Sequence, residues 1–152
     1  MVLAAFILVC FGAATVGSWF TTLSLEGWYA DLRKPAWNPP NWVFAPVWSA
    51  LYLMMAVAAW LVWRRSGFRG APGALGLFGF QLLLNVSWSW LFFGLHSPSL
   101  AFTGIVALYA AIGATTIAFA RISTSASWLM APYLAWVTFA AGLNLAIWRL
   151  NG

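Results

Sequence analysis

Apolar residues run through this chain in five long stretches, at about 2–23, 43–63, 74–95, 99–120 and 128–150, parted by four shorter polar connections. A hydrocarbon core of about 30 Å is crossed by about 20 apolar residues of helix. Each stretch meets that length, so the pattern predicts an all-α membrane protein, a bundle of five transmembrane helices forming one domain over residues 1–152. Gly12, Ala13, Ala14, Gly17 and Ser18 supply small positions on the first span that let a neighbour approach closely, a packing role. On the fourth span Ser99, Thr103, Ala107, Ala111 and Thr115 recur every four residues and predict a tight contact or a dimer face. Gly76 and Gly79 on the third span compete for that second role. Asn41, and Ser125 or Ser127, read as N-caps of the second and fifth spans.

The first connection, Ser24 to Trp42, is the longest and carries Pro35, Pro39 and Pro40, Trp28, Trp37 and Trp42, and both acids of the chain, Glu26 and Asp31. Proline fixes φ and pushes the preceding residue out of the helical region, so this path is extended and stiff. A connection of such length is functional or disordered, and its aromatic content argues for order. It reads as a structured lid over one end of the bundle.

Composition sharpens the picture. The chain is 64% hydrophobic and 6% charged, against about a quarter charged in soluble domains, and its mean hydropathy is +0.88. The net charge of +5 comes from scarce acids rather than a basic block, so no nucleic-acid partner is expected. Cys10 is the only cysteine, which leaves no disulfide framework within one chain. The first span reads as a retained helix: no basic segment precedes it, and Trp19 and Phe20 stand where a signal peptidase would need small residues. Arg64, Arg65, Arg69 and Arg121 fall on the side of the N-terminus, and Arg33, Lys34 and Arg149 on the other, so positive-inside counting favours a cytoplasmic N-terminus.

Polar side chains inside the spans are few, and each is costly in lipid unless it faces the bundle interior. Gln81, Asn85 and Trp88 share a face of the third span. Pro132, Trp136, Ala140, Asn144 and Trp148 repeat every four residues on the fifth, and Phe44, Trp48, Tyr52 and Met55 form a similar row on the second. Converging, these faces would enclose an indole-walled pocket for a flat apolar ligand. Tryptophan also gathers at membrane interfaces whatever the function. Trp48 and Trp136 stand apart because Pro46 and Pro132 lie close by and free backbone carbonyls. Asn85 and Asn144 either contact a ligand or bond across helices, and His96 reads as a solvated turn residue. There is no metal-ligand cluster, no serine with a histidine and an acid, and no glycine-rich phosphate cradle. No ionisable residue sits at mid-span either, against the habit of ion-driven pumps. These absences point away from conventional hydrolases and dehydrogenases; any catalysis would come from indole, phenol and a light-sensitive or redox-active ligand.

Taken in order, WYADLRKPAWNPPNWVF, PVWSALY, NVSWSWLFFG and PYLAWVTFAAGLN resemble the translocator protein or tryptophan-rich sensory protein family, once called the peripheral benzodiazepine receptor, over nearly the whole chain. The resemblance implies a five-helix membrane receptor or sensor, commonly a homodimer in the lipid bilayer. It implies binding of porphyrins such as protoporphyrin IX, sterols and benzodiazepine-type ligands in a cavity closed by the first loop, with no required cofactor. Carried over by motif, Trp48 and Trp136 line that cavity, and bacterial members are proposed to use such a pair in light- and oxygen-dependent porphyrin breakdown. Tyr29, Tyr52, Asn85, Trp88, Ala140 and Asn144 are further pocket positions, with Trp37, Pro39, Pro40 and Phe44 completing the expected ligand-binding set. The family's C-terminal cholesterol motif needs a tyrosine before a basic residue, whereas Leu143, Asn144 and Leu145 lead to Arg149 without one. That departure weakens sterol binding and agrees with a bacterial cell membrane.

Overall fold

The structure, a computed structural model, describes all 152 residues, Met1–Gly152. Helix α1 spans Val2–Ser24, and a single turn, α2, Trp28–Asp31. Helix α3 spans Asn41–Gly70 and α4 Pro72–Ser89, which a π-helical turn, Trp90–Gly94, continues; α5 covers Pro98–Ala120 and α6 Thr124–Asn151. Five helices are long and apolar enough to cross a membrane, as the hydropathy pattern predicts.

The ends differ in detail from the expected boundaries. Asn41 is not the cap of α3: Pro40, extended at φ −59 and ψ 150, holds that place, and Asn41 is the first helical residue. The helix runs past residue 63 until Gly67, whose φ of 68 and ψ of 177 break it in a conformation natural only to glycine. Beside that end, Arg65 donates to the carbonyl of Ile122 at 2.9 Å, tying α3 to the α5–α6 turn. Ser123, rather than Ser125 or Ser127, caps α6 by accepting from Ala126 N at 3.3 Å. Ser97 caps α5 in the same way, with Pro98 in the first turn, where its missing N–H costs nothing.

The spans form a closed ring in the order α1, α3, α6, α5, α4, each packed on the next. At the end away from the first connection the interior is solid. Met55, Ala56, Ala59 and Val62 of α3 meet Phe78, Ile112, Phe119, Met130 and Val137 there; alanines on α3 let its backbone approach its neighbours closely. Phe78 and Phe119 stack at 5.9 Å across α4 and α5. On the fourth span the small-residue row does not hold one contact: Ala111 and Thr115 are buried, but Ser99, Thr103 and Ala107 are exposed. Steps of four overshoot a 3.6-residue turn by roughly 40° each, so the row winds from lipid to core.

Helix α1 changes partner along its length. Low in the bundle Cys10 is buried in the core and Phe11 lies 6.4 Å from the ring of Tyr52 on α3. Higher up, α1 leans on α4. A Cβ on Gly17 would stand 3.2 Å from Ser89 Oγ, and the Ser24 hydroxyl donates to the carbonyl of Phe93 at 2.6 Å.

Candidate ligand cavity

The upper half of the ring is hollow. A cavity of ≈ 260 Å³ lies beneath the first connection, lined mainly by hydrophobic side chains. Phe44, Trp48 and Tyr52 of α3, Asn85 and Trp88 of α4, Trp136, Ala140 and Asn144 of α6, and Tyr29 of α2 all line it. The three faces expected to converge do so. Met55 lies below the hollow, where its sulfur accepts from Gln81 Nε2 at 3.7 Å. Trp148, the last member of the α6 row, packs instead beside Phe102 at 5.8 Å.

Three expected ligand contacts stand off the wall: Trp37, Pro39 and Pro40 do not line the cavity. Pro40 is occupied in starting α3. Trp37 is half exposed and packs edge-on against Phe139 at 5.6 Å. Phe139 lines the cavity and lies 5.3 Å from Trp136, so Trp37 supports the wall from behind. The connection itself is pinned at several points. Trp28 stacks on His96 at 4.5 Å with planes 9° apart, and Ser24 Oγ lies 3.2 Å from His96 Nε2. His96 is exposed, as expected of a turn residue, yet it also holds the connection, from a left-handed backbone with φ of 54. At the other end the Asn151 amide accepts from Arg33 N at 2.9 Å and donates to Arg33 O at 2.8 Å, pairing with both backbone groups of one residue.

The asparagines prove to be joints between helices. Tyr52 donates to Asn85 Oδ1 at 2.7 Å, Asn85 Nδ2 donates to the Tyr133 hydroxyl at 2.7 Å, and Tyr133 donates to Gln81 Oε1 at 2.6 Å. This buried chain joins α3, α4 and α6 under the cavity floor. Trp88 Nε1 donates to Asn144 Oδ1 at 2.9 Å, and Asn144 Nδ2 donates to the Pro98 carbonyl at 2.8 Å, joining α4, α6 and the start of α5. Buried polar groups are satisfied as a rule. The exception is Trp136 Nε1, which is buried without a partner. Its ring meets Trp48 edge to face, centroids 6.4 Å apart and planes at 89°. Burial raises the Tyr29 phenol above its ordinary pKa, and its hydrogen bond to Asn38 offsets part of that rise.

Several lining residues escaped the sequence reading. Ala14, Gly17, Ser18, Thr21 and Thr22 place α1 in the wall, although its small residues spoke only of packing. Phe92 and Phe93 are adjacent yet both buried against the site. The π turn explains this: Leu95 N bonds to Trp90 O at 2.8 Å, five residues back, and the wider turn swings both rings inward. Nothing in NVSWSWLFFG marks that turn in advance.

A sequence model of the TspO/MBR family matches residues 6–149. The chain belongs to the TspO/MBR family. This TspO/MBR chain is 43% identical to the tryptophan-rich protein TspO of Chlorobaculum tepidum, with 99% of this chain and 96% of that protein aligned. It is 41% identical to the human translocator protein, over 90% of this chain and 82% of that one. It is 38% identical to the tryptophan-rich sensory protein of Cereibacter sphaeroides, over 96% and 89% respectively. Membership agrees with five apolar spans in making this an integral, multi-pass membrane protein, and supports a membrane sensor or receptor.

Proposed function

We propose that this protein is a membrane receptor for tetrapyrroles of the protoporphyrin IX kind, held between α1, α3, α4 and α6 under the first connection, which serves as their lid. The observation that carries the reading is the Trp48–Trp136 pair on the wall of a hollow lined mainly by hydrophobic side chains. A conjugated macrocycle gains chiefly by burying apolar area and by contact with indole faces and edges. The partnered amides below hold the wall in one shape. Family resemblance adds a homodimer and a bacterial cell membrane to the proposal. Binding would report, or alter the traffic of, porphyrin during oxidative stress.

A second reading makes the same cavity an enzyme for light- and oxygen-dependent porphyrin breakdown. It draws on the run of aromatic rings Trp136, Trp48 and Tyr52, spaced 6.4 and 5.8 Å apart, a path that delivers electrons to a ligand oxidised by light and oxygen. Protoporphyrin IX titrated into purified protein in nanodiscs, in darkness and then illuminated, separates the two. Saturable quenching of tryptophan fluorescence is expected in the dark and supports the receptor; its absence overturns that reading. Product formation that Trp48→Phe and Trp136→Phe abolish supports the enzyme, and formation unchanged in both removes it.

A further inference from the structure

The cavity is not sealed on all sides. Of the residues lining it, the solvent- or lipid-exposed ones are Ser18 and Thr22 on α1 and Asn41, Ala45 and Ser49 on α3; those on α2, α4 and α6 are buried or half-buried. This follows from the change of partner along α1. Below, Phe11 keeps α1 on Tyr52 of α3. Above, α1 leans on α4 and its π turn, where a Cβ on Gly17 would press Ser89, one on Gly94 would touch Phe20 at 3.4 Å, and Ser24 bonds to Phe93. Two neighbouring helices that touch low and part high leave a wedge between them.

We infer that ligand enters and leaves the cavity sideways, from the bilayer through this wedge between α1 and α3, and not from water past the first connection. Depth supports it. Ser49 lies eight residues inside α3, and Ser18 six residues from the end of α1; at 1.5 Å per residue these are roughly 12 and 9 Å along the helices, at the level of acyl chains. The ties of the connection support it too. Ser24, Trp28, Arg33 and Trp37 are fastened to Phe93, His96, Asn151 and Phe139, all on the π turn that continues α4, on α6 or in the turn before α5. They hold the top shut and leave the α1–α3 flank without a strap. Asn41 stands at the upper end of the wedge, and the rims below it, Ser18, Thr22, Ala45 and Ser49, are all small, as the passage of a thin plate requires. The hydroxyls of Ser18, Thr22 and Ser49 can accept or donate to its polar margin. The ligand class is therefore a planar, membrane-dissolved molecule with an apolar body and a polar edge.

The choice of ligand rests on the porphyrin reading above; the geometry of the wedge does not, so two measurements are needed. In a Cys10→Ala background, nitroxide labels on Ser18→Cys and Ser49→Cys in nanodiscs are expected to collide more with bilayer-dissolved oxygen than with an aqueous nickel chelate. The reverse preference overturns the lateral route whether or not porphyrin binds. Next, the double variant Ser18→Cys with Ser49→Cys is bridged by a reductant-cleavable bis-thiosulfonate, and protoporphyrin IX exchange with vesicles is timed. Against the same double variant after reduction, bridging is expected to slow association and dissociation alike by about tenfold, and reductant restores the rates. A disulfide formed instead in Arg33→Cys with Asn151→Cys, which line no part of the cavity, is expected to leave both rates unchanged. Slowing there with none across the wedge overturns the inference. Absent quenching in the unmodified protein would remove the porphyrin reading alone.

Discussion

At the scale of single residues, the most consequential feature is how few polar atoms in the spans remain free. Asn85 and Tyr133 each both give and receive, so Tyr133→Phe strands Asn85 Nδ2 and Gln81 Oε1 in a dry interior. A buried group left without a partner costs about 1–3 kcal/mol, and a lower thermal-unfolding midpoint in detergent checks this. Tyr133 does not line the cavity, so any weakening of binding would come through Asn85 and Tyr52. Trp136 offers the opposite case, an indole N–H buried with no partner, so that its loss strands nothing. Replacing it by phenylalanine is expected to weaken protoporphyrin IX binding about two- to tenfold through lost indole contact, an aromatic contact of about 0.5–1.5 kcal/mol. Titration of the two proteins measures the difference. Much of this was legible beforehand, because Asn85, Trp88, Trp136 and Asn144 recur on interior faces at helical spacing. Which of them would be partnered was not. That depends on Tyr133 and Pro98, 48 and 46 residues away from their asparagines.

Elements carry the second part of the account. The five spans were plain in hydropathy, and their errors lie at the ends, where capping competes with proline and glycine rules: Pro40 displaces Asn41, and α3 runs several residues past its expected end until Gly67 breaks it. The π turn at Trp90–Gly94 had no signal, since the same residues satisfy an ordinary helix. The connection was expected to be ordered by its prolines. Its firmest ties come from outside, from His96 and from Asn151, and no local pattern announces a pairing across 118 residues. Asn151→Ala is expected to leave Arg33 N unpaired and to speed its amide hydrogen exchange about tenfold or more, local opening being set by such ties. Equal exchange in both proteins would mean that Asn151 does not hold the connection. Gly17→Val should press α1 away from Ser89, lowering stability and altering the wedge. A thermal midpoint equal to the parent's would contradict close packing there.

For the molecule as a whole, the cyclic order of α1, α3, α6, α5 and α4 decides everything, and hydropathy, a one-dimensional signal, does not contain it. That order sets α1 between α3 and α4 and so creates both the hollow and its open flank. It also places the tryptophans at two ends. Trp48, Trp88 and Trp136 surround the cavity, whereas Trp60, Trp63 and Trp128 sit toward the opposite ends of α3 and α6. Fluorine-labelled tryptophan with a paramagnetic manganese protoporphyrin in nanodiscs reads this directly, because a bound paramagnet broadens only nearby resonances. A porphyrin in the cavity is expected to broaden Trp48, Trp88 and Trp136 at one saturating stoichiometry and to leave Trp60, Trp63 and Trp128 sharp. Sharp lines from Trp48 and Trp136, with broadening at lipid-facing Trp19 or Trp128, would contradict it.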